Sequence, residues 1–262
     1  MRLGIFVGIV AVGLVVLFFT DPDGGLFAVT SGFVTGAAIP VIDATMQNRR
    51  WLRIIWLSLT YRRQHIRLSI SYLFRIQIDG SYLLVKGKRF NTYIPVGGVY
   101  KYAESAKRHL DQMEVLTDDL IPVDESSKND LRIRVPGKNL VAFFRWFESG
   151  ESRETSPWRE FWEELVDEGL VSADAFPWIF ERKIRRHVAR LRYSKFAQSA
   201  EIFVADIYEL EATPRQAKEL ERLRDSGHPS VIWVDAEQIR RRGVVPGKRQ
   251  EYEIGEPAEW VL

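Results

Sequence analysis

Trp158-Arg159-Glu160-Phe161-Trp162-Glu163-Glu164-Leu165-Val166-Asp167-Glu168-Gly169 is the stretch on which the reading of this chain turns. Set on a helix at roughly 100° per residue, Glu160, Glu163, Glu164, Asp167 and Glu168 form an acidic stripe, while Trp158, Phe161, Trp162 and Leu165 form an apolar one. Like charges at i,i+3 and i,i+4 repel by ~0.2–0.5 kcal/mol per pair. Such a stripe needs either free solvation or a cation. Hard divalent ions such as Mg²⁺ take oxygen ligands of this kind, usually alongside substrate phosphates. A solvated acidic face is the plainer alternative, because surface helices are rich in Glu.

Upstream, Tyr93-Ile94-Pro95-Val96-Gly97-Gly98-Val99-Tyr100-Lys101-Tyr102-Ala103-Glu104 places Glu104 after Gly98 and five intervening residues. Together with Arg159-Glu160-Phe161-Trp162-Glu163-Glu164 it resembles the two halves of the Nudix box, G-x5-E-x7-R-E-U-x-E-E-x-G-U, where U is a bulky aliphatic residue. In this chain residues 105–158 stand between the halves, and Val166 occupies the place of the closing Gly. Residues 72–86 and the following Pro95-Val96-Gly97-Gly98 look like the opening strands of a Nudix domain. The insertion, with residues 130–138, an aromatic helix through Phe143, Phe144, Trp146 and Phe147, and then Arg153-Glu154, is similar to the Nudix-like proteins encoded beside CD-NTase (SMODS) nucleotide cyclases in bacterial CBASS antiphage operons.

The resemblance implies a Nudix α/β/α sandwich with a mixed sheet. It implies Mg²⁺ or Mn²⁺ held by Glu104, Glu160, Glu163 and Glu164, with Glu160, Glu163 and Glu164 as the catalytic set. Arg159 would orient a box glutamate, and Gly97 and Gly98 would shape the floor of the substrate's phosphate site. For function it implies a membrane-anchored CBASS effector, with a CD-NTase as its partner, that hydrolyses a nucleoside diphosphate linked to another moiety, responds to a cyclic oligonucleotide, or does both. Two alternatives stand beside it: a non-hydrolytic, cyclic-nucleotide-binding effector that disrupts membranes, and a membrane-tethered housekeeping Nudix hydrolase.

The chain has 37 Lys+Arg against 35 Asp+Glu, so bulk charge nominates no polyanionic partner. It has no cysteine, which excludes disulfides and any cysteine-based metal or nucleophile site. His65, His109, His187 and His228 show no clustered spacing and receive no metal role.

Residues 3–19 and 26–42 are two apolar runs separated by Thr20-Asp21-Pro22-Asp23-Gly24-Gly25. Each is near the short end of the roughly 17–25 residues that span a bilayer, and together they read as a transmembrane hairpin over residues 1–45. Arg2 on one side, Arg49, Arg50, Arg53, Arg62 and Arg63 on the other, and an acidic turn between place both ends in the cytoplasm and the protein in the cell inner membrane. Gly4/Gly8 and Gly32/Gly36 each make a G-x-x-x-G, which serves packing within the hairpin or homo-oligomerisation. Residues 46–65, mixing Trp, Leu, Ile and Arg, read as an amphipathic juxtamembrane linker.

Residues 66–262 read as the Nudix-like domain. Residues 66–78 and 82–86 should pair around an Asp79-Gly80-Ser81 turn. Residues 118–130 should form a surface loop, 131–135 a strand, and 139–149 a helix burying Leu140, Phe143, Phe144 and Phe147. Residues 186–193 alternate, with Arg186, Arg190 and Arg192 on one side, and pair with a strand over residues 201–210. Arg190 and Arg192, with Lys183, Arg185 and Arg186, are a candidate basic wall for substrate phosphates; a salt-bridged strand face is the other reading. Thr213 caps a helix to Ser226, residues 231–234 are a strand, Asp235 caps another helix, and residues 251–262 alternate like a strand. Mixed strands with about three helices and no regular βαβ repeat point to the same α/β/α sandwich.

Overall fold

A computed structural model describes residues 2–87, 91–118, 127–195, 197–244, 247, 250 and 252–262. The chain divides into two units, Met1–Arg62 and Arg63–Leu262.

The first unit is two helices, α1 (Arg2–Phe18) and α2 (Gly25–Thr60). The second apolar run and the arginine-rich segment form one uninterrupted helix, so the juxtamembrane stretch is not a separate element. Gly25–Asp43 is 19 residues with mean hydropathy 1.7 and is long and apolar enough to cross a bilayer. The apolar part of α1, Gly8–Phe18, is shorter. The helices meet at Gly13, where a Cβ would stand 2.3 Å from Cγ2 of Val34. Gly8, Gly32 and Gly36 have open space around them, so the G-x-x-x-G glycines do not make this contact. The side-chain surroundings of Gly4 lie outside the described residues.

The second unit is built on β1 (His65–Arg75), β2 (Gln77–Ile78), β3 (Ser81–Lys86), β4 (Tyr93–Ile94) and β5 (Gly97–Val99), followed by α3 (Lys107–Gln112), β6 (Leu116–Thr117), β7 (Arg132–Pro136) and α4 (Leu140–Ser149). Next come α5 (Trp158–Phe161), which runs on as a π-turn over Trp162–Val166, then β8 (Glu181–Val188), β9 (Arg192–Ser194) and β10 (Ser199–Leu210). The chain closes with α6 (Pro214–Asp225), β11 (Val231–Val234), α7 (Ala236–Arg240) and a 3-10 helix, Glu256–Val261. The main sheet has the order β6-β7-β1-β10-β8, with β5 also on β1 and β9 also on β10. It is mixed, because β1 and β10 run parallel while the other pairs are antiparallel. A second, antiparallel sheet holds β11-β3-β2, with β4 on β3.

The expected hairpin around Asp79-Gly80 exists only as the short pair β2–β3, with both turn residues at positive φ. β1 runs instead in the main sheet between β7 and β10, where it is buried on both faces. The insertion is no appendage: β7 pairs with β1, and α4 buries Leu140, Phe143, Phe144, Trp146 and Phe147. Phe161 and Leu165, both fully buried, lie in one core with Phe74 of the main sheet, Leu83, Val85 and Val231 of the second, and Leu220 and Leu223 of α6. The acidic helix is therefore clamped between the two sheets. Replacing a buried aromatic such as Phe161 by Ala costs ~3–5 kcal/mol.

Thr213 and Asp235 cap α6 and α7, each with a reciprocal Gln three residues on, worth about 1 kcal/mol apiece. Three expectations are corrected. Residues 256–261 are a 3-10 helix, not a strand, because Trp260 and Val261 pack beneath Leu73, Ala205 and Ile207. Asp118 is buried against Arg67 instead of lying at the surface, and residues 119–126 of that expected loop are outside the described ones. The alternating stretch 186–193 is broken between β8 and β9, which leaves Arg190 exposed in the connection.

Candidate active site beneath the Gly97-Gly98 loop

β5 delivers its two glycines to α5 because β1 holds it in register, with Tyr72 opposite Gly98 and Leu73 opposite Gly97. Gly97 has φ +149°, and a Cβ there would stand 2.1 Å from the Tyr72 carbonyl oxygen. Only glycine fits that position. The Gly97 N–H donates to Oε2 of Glu164 at 2.9 Å. A Cβ on Gly98 would stand 2.0 Å from Oε1 of Glu160, so the Glu160 carboxylate occupies the space that the missing side chain leaves. The two glycines thus receive Glu160 and Glu164, whose sequence separation from them exceeds sixty residues.

Arg159 ties the carboxylates together. Its Nη1 donates to Oε1 of Glu160 at 2.6 Å and lies 3.3 Å from Oε2 of Glu163. Its Nη2 donates to the Val99 carbonyl at 3.1 Å, and its Nε to Glu154 at 3.1 Å. Burial works against the arginine's charge, but hydrogen bonding to Glu154 and the field of Glu160 outweigh it and hold its pKa above the ordinary value. Burial pushes the Glu160 carboxyl up, with Arg159 pulling the other way. Glu163 is exposed and is the carboxylate of the set best placed to meet solvent.

The helix is shorter than its sequence suggests. The Asp167 N–H bonds to the Trp162 carbonyl, five residues back, at 2.9 Å, the signature of a π-turn, a feature frequent at functional sites. Asp167 and Glu168 fall beyond it and are exposed, so the acidic stripe ends at Glu164.

Glu104 is not brought to this helix. Its carboxylate accepts from Lys107 Nζ at 2.6 Å and from Asn129 at 3.1 Å in an exposed 3-10 turn. The carboxylate beside Arg159 is Glu154, which also accepts from the Tyr72 hydroxyl at 3.3 Å and from the Lys101 N–H at 3.3 Å. The sequence held one signal for it: an acid five residues ahead of the box arginine, where the separated halves rejoin. Asp130, which follows Asn129 on the chain, pairs with Arg132 at 2.9 Å, and burial pushes its carboxyl up to about 6 against the pull of Arg132 and Lys101.

The candidate basic wall comes apart. Arg192 is bound to Glu201 at 3.0 Å and Glu256 at 2.9 Å, and Arg185 donates to the Trp260 and Leu262 carbonyls, whereas Lys183 and Arg186 converge on Asp206. Strand alternation could not reveal this, because a bulge opposite Ile207/Tyr208 shifts the register of β8.

The donor chemistry of Glu160, Glu163 and Glu164 suits a hard divalent ion, all three being oxygen ligands. Glu160, half-buried and raised, is a carboxylate that a cation would stabilise. Among the described residues no three acidic or histidine side chains converge as a ready-made cage, since Arg159 stands between Glu160 and Glu163.

A bifunctional NMN adenylyltransferase/ADP ribose pyrophosphatase from Francisella tularensis, crystallised with AMP and a manganese ion, is similar to the chain at 13% identity with a TM-score of 0.24. The match covers 83% of this chain and 47% of that one, so the chain spans about half the length of that structure. No curated protein matches significantly. The profile described as the SMODS-associated NUDIX domain matches residues 65–262, which takes in β1 through the final 3-10 helix and both halves of the separated box. The chain belongs to the SMODS-associated NUDIX domain family.

Proposed function

We propose that this chain is a membrane-anchored, divalent-metal-dependent hydrolase of nucleoside diphosphates linked to a second moiety, acting as the effector of a CBASS system beside a CD-NTase. The observation that carries the proposal is the seating of Glu160 and Glu164 under Gly98 and Gly97, with Arg159 bridging Glu160 and Glu163. The family's SMODS association supports the CD-NTase partner. Glu160, Glu163 and Glu164 would hold Mg²⁺ or Mn²⁺, which when bound supplies Lewis-acid polarisation of the phosphoanhydride and activation of water. Arg159 holds Glu160 against β5, and Glu154 orients Arg159 without touching substrate. Glu104, tied to Lys107 and Asn129, has no part in this set.

The test is a hydrolysis screen of the full chain in detergent, with Mn²⁺ or Mg²⁺, over ADP-ribose and other nucleoside diphosphate conjugates. Metal-dependent release of nucleoside monophosphate is expected, and its loss in Glu160→Gln and Glu163→Gln. Turnover that survives both substitutions overturns the assignment. The grip of Arg159 on Glu160 and Glu163 favours a second reading, a non-hydrolytic receptor for a cyclic oligonucleotide; binding without turnover across the screen would select it.

For the anchor, the apolar span Gly25–Asp43 supports one crossing of the inner membrane; a second, through residues 3–19, belongs to the proposal, with the flanking arginines favouring cytoplasmic ends. The absence of native cysteine lets single cysteines report topology. A cysteine at Asp23 should label from outside and one at Ser226 only from inside; the reverse pattern rejects the orientation.

A further inference from the structure

The strip of main sheet between Phe147 of α4 and Phe161 of α5 carries a second charged group. Pairing of Tyr72 with Asp206 and of Asp206 with Arg186 sets these side chains on one face. By strict alternation Lys183 would point to the opposite face. The bulge at Ile207/Tyr208 places Lys183 opposite Tyr208, so Lys183 and Arg186 share a face while Ile184 packs with the core on the other. Bulges of this kind re-aim side chains beside functional sites.

Three cations meet there. Arg186 clamps Asp206 through Nε at 2.5 Å and Nη2 at 2.8 Å, and Lys183 Nζ reaches the same carboxylate at 2.8 Å. Tyr100 donates its hydroxyl to Asp206 at 3.0 Å and lies 3.2 Å from the Tyr208 hydroxyl. Arg153 lies 4.0 Å over the Phe147 ring, and Arg186 4.8 Å from the same ring. The hydrogen bonds of Arg153 go to the carbonyls of Phe147 and Glu154, and among the described residues no carboxylate pairs with it. Against the three cations stand Asp206, 1% exposed, and Glu148, which lies 3.3 Å from Arg186. Burial lowers the pKa of both Lys183 and Arg153, and the repulsion of Arg186 lowers them further. Half-buried like charges at close quarters are unfavourable unless an anion joins them. The Lys183 side chain is 41% exposed, so the group is open to solvent on that side.

We propose that Arg153, Lys183 and Arg186, held around Asp206 by Tyr100 and Tyr208, form a phosphate-binding site on the sheet strip beside α5. Planar guanidiniums and a mobile ammonium with N–H groups to spare match the oxygens of a phosphoryl or diphosphoryl group. The inference deepens the hydrolase reading, because Glu154 links the two sites: it binds Arg159 through its side chain and Arg153 through its carbonyl. The phosphate can belong to a nucleotide or be free.

The experiment is calorimetric titration of the full chain in detergent and EDTA with inorganic pyrophosphate and with ADP. Pyrophosphate should bind at one site, roughly tenfold or more weakly in Lys183→Ala and in Arg153→Gln, and unchanged in Lys218→Ala, an exposed cation of α6. Lys183→Arg should restore binding. Lys183→Ala leaves Asp206 with Arg186 and Tyr100, so the variant keeps its fold. ADP binding tighter than pyrophosphate, with the same losses, identifies a nucleotide's phosphates; equal affinity identifies the free anion. Absence of pyrophosphate binding, or binding indifferent to Lys183→Ala and Arg153→Gln, overturns the proposal. With metal-dependent turnover intact, that result removes this site alone; pyrophosphate binding without turnover removes the hydrolase reading alone.

Discussion

The two faces of the main sheet each carry a cluster of charges, and the clusters are built to opposite rules. On one face a single row crosses four strands, Arg134 of β7, Arg67 of β1, Glu201 of β10 and Arg192 of β9, held in register by the strand pairing. Asp118 and Glu256 complete it, so three arginines meet three carboxylates. Arg67, Asp118 and Glu201 are 5–6% exposed, and Arg67 and Arg192 both lie over the Phe203 ring. On the other face Arg153, Lys183 and Arg186 outnumber their carboxylates, and beside them a raised Glu160 and an exposed Glu163 share one arginine. A balanced, buried network has no charge left over for a ligand. An unbalanced one at a helix edge has charge to spare, and the proposed function rests there.

The sharpest way to break this contrast is to open the closed network. Glu201→Ala leaves Arg67 buried beside Arg192, with Asp118 as its remaining acid, and should lower stability by ~3–5 kcal/mol, read from urea denaturation, without changing ligand binding. A small loss would mean that the row is not the structural device its burial suggests.

Next in size is the pH response of Asp130. Its carboxyl is raised from 3.8 to about 6, burial first. The folded state therefore keeps a proton that the unfolded chain has already released. The resulting stability is fully present below about pH 4 and is lost as pH rises through 6, by up to ~3 kcal/mol at about 1.4 kcal/mol per pH unit. Thermal melts of the metal-free protein should show this slope, and Asp130→Asn should flatten it.

Gly97→Ala should cost about 1–3 kcal/mol through backbone strain and contact with the Tyr72 carbonyl. Gly98→Ala meets the Glu160 side chain and not backbone, so it should cost less stability and, by displacing that carboxylate, more metal affinity. Equal losses in both would show that the two glycines act simply as a turn. The smallest change in stability belongs to Glu163→Gln, within ~0.5 kcal/mol because its pair with Arg159 is exposed. The same substitution should reduce metal-dependent turnover roughly tenfold or more, the reverse of the Glu201 result.

Much of the local structure was legible in the sequence. Thr213-Pro214 and Asp235 announce helices because a capping oxygen and a fixed φ act over three or four residues. The stripe of Leu140, Phe143, Phe144 and Phe147 and the apolar side of α5 follow from helical periodicity, and the core formed on those residues. Residues 256–261 misled because Ala258 and Trp260 stand on either side of Glu259 as they would on one face of a strand, whereas the 3-10 turn buries the adjacent Trp260 and Val261 together.

By itself, then, the sequence determined the caps, the aromatic helix, the apolar run at residues 26–42 and the residues of each half of the separated box, each carried by residues near one another along the chain. Which carboxylate stands beside Arg159, which cations share a face, and which arginines are spent on buried pairs were decided by tertiary structure alone. Glu154 stands beside Arg159 because the bridge between Tyr102 and Arg153 brings the end of the insertion close to the end of β5. Lys183 joins Arg186 because a register shift in β8 overrides alternation. Both outcomes depend on strand pairing between distant segments, and no local preference encodes the register of such a pair.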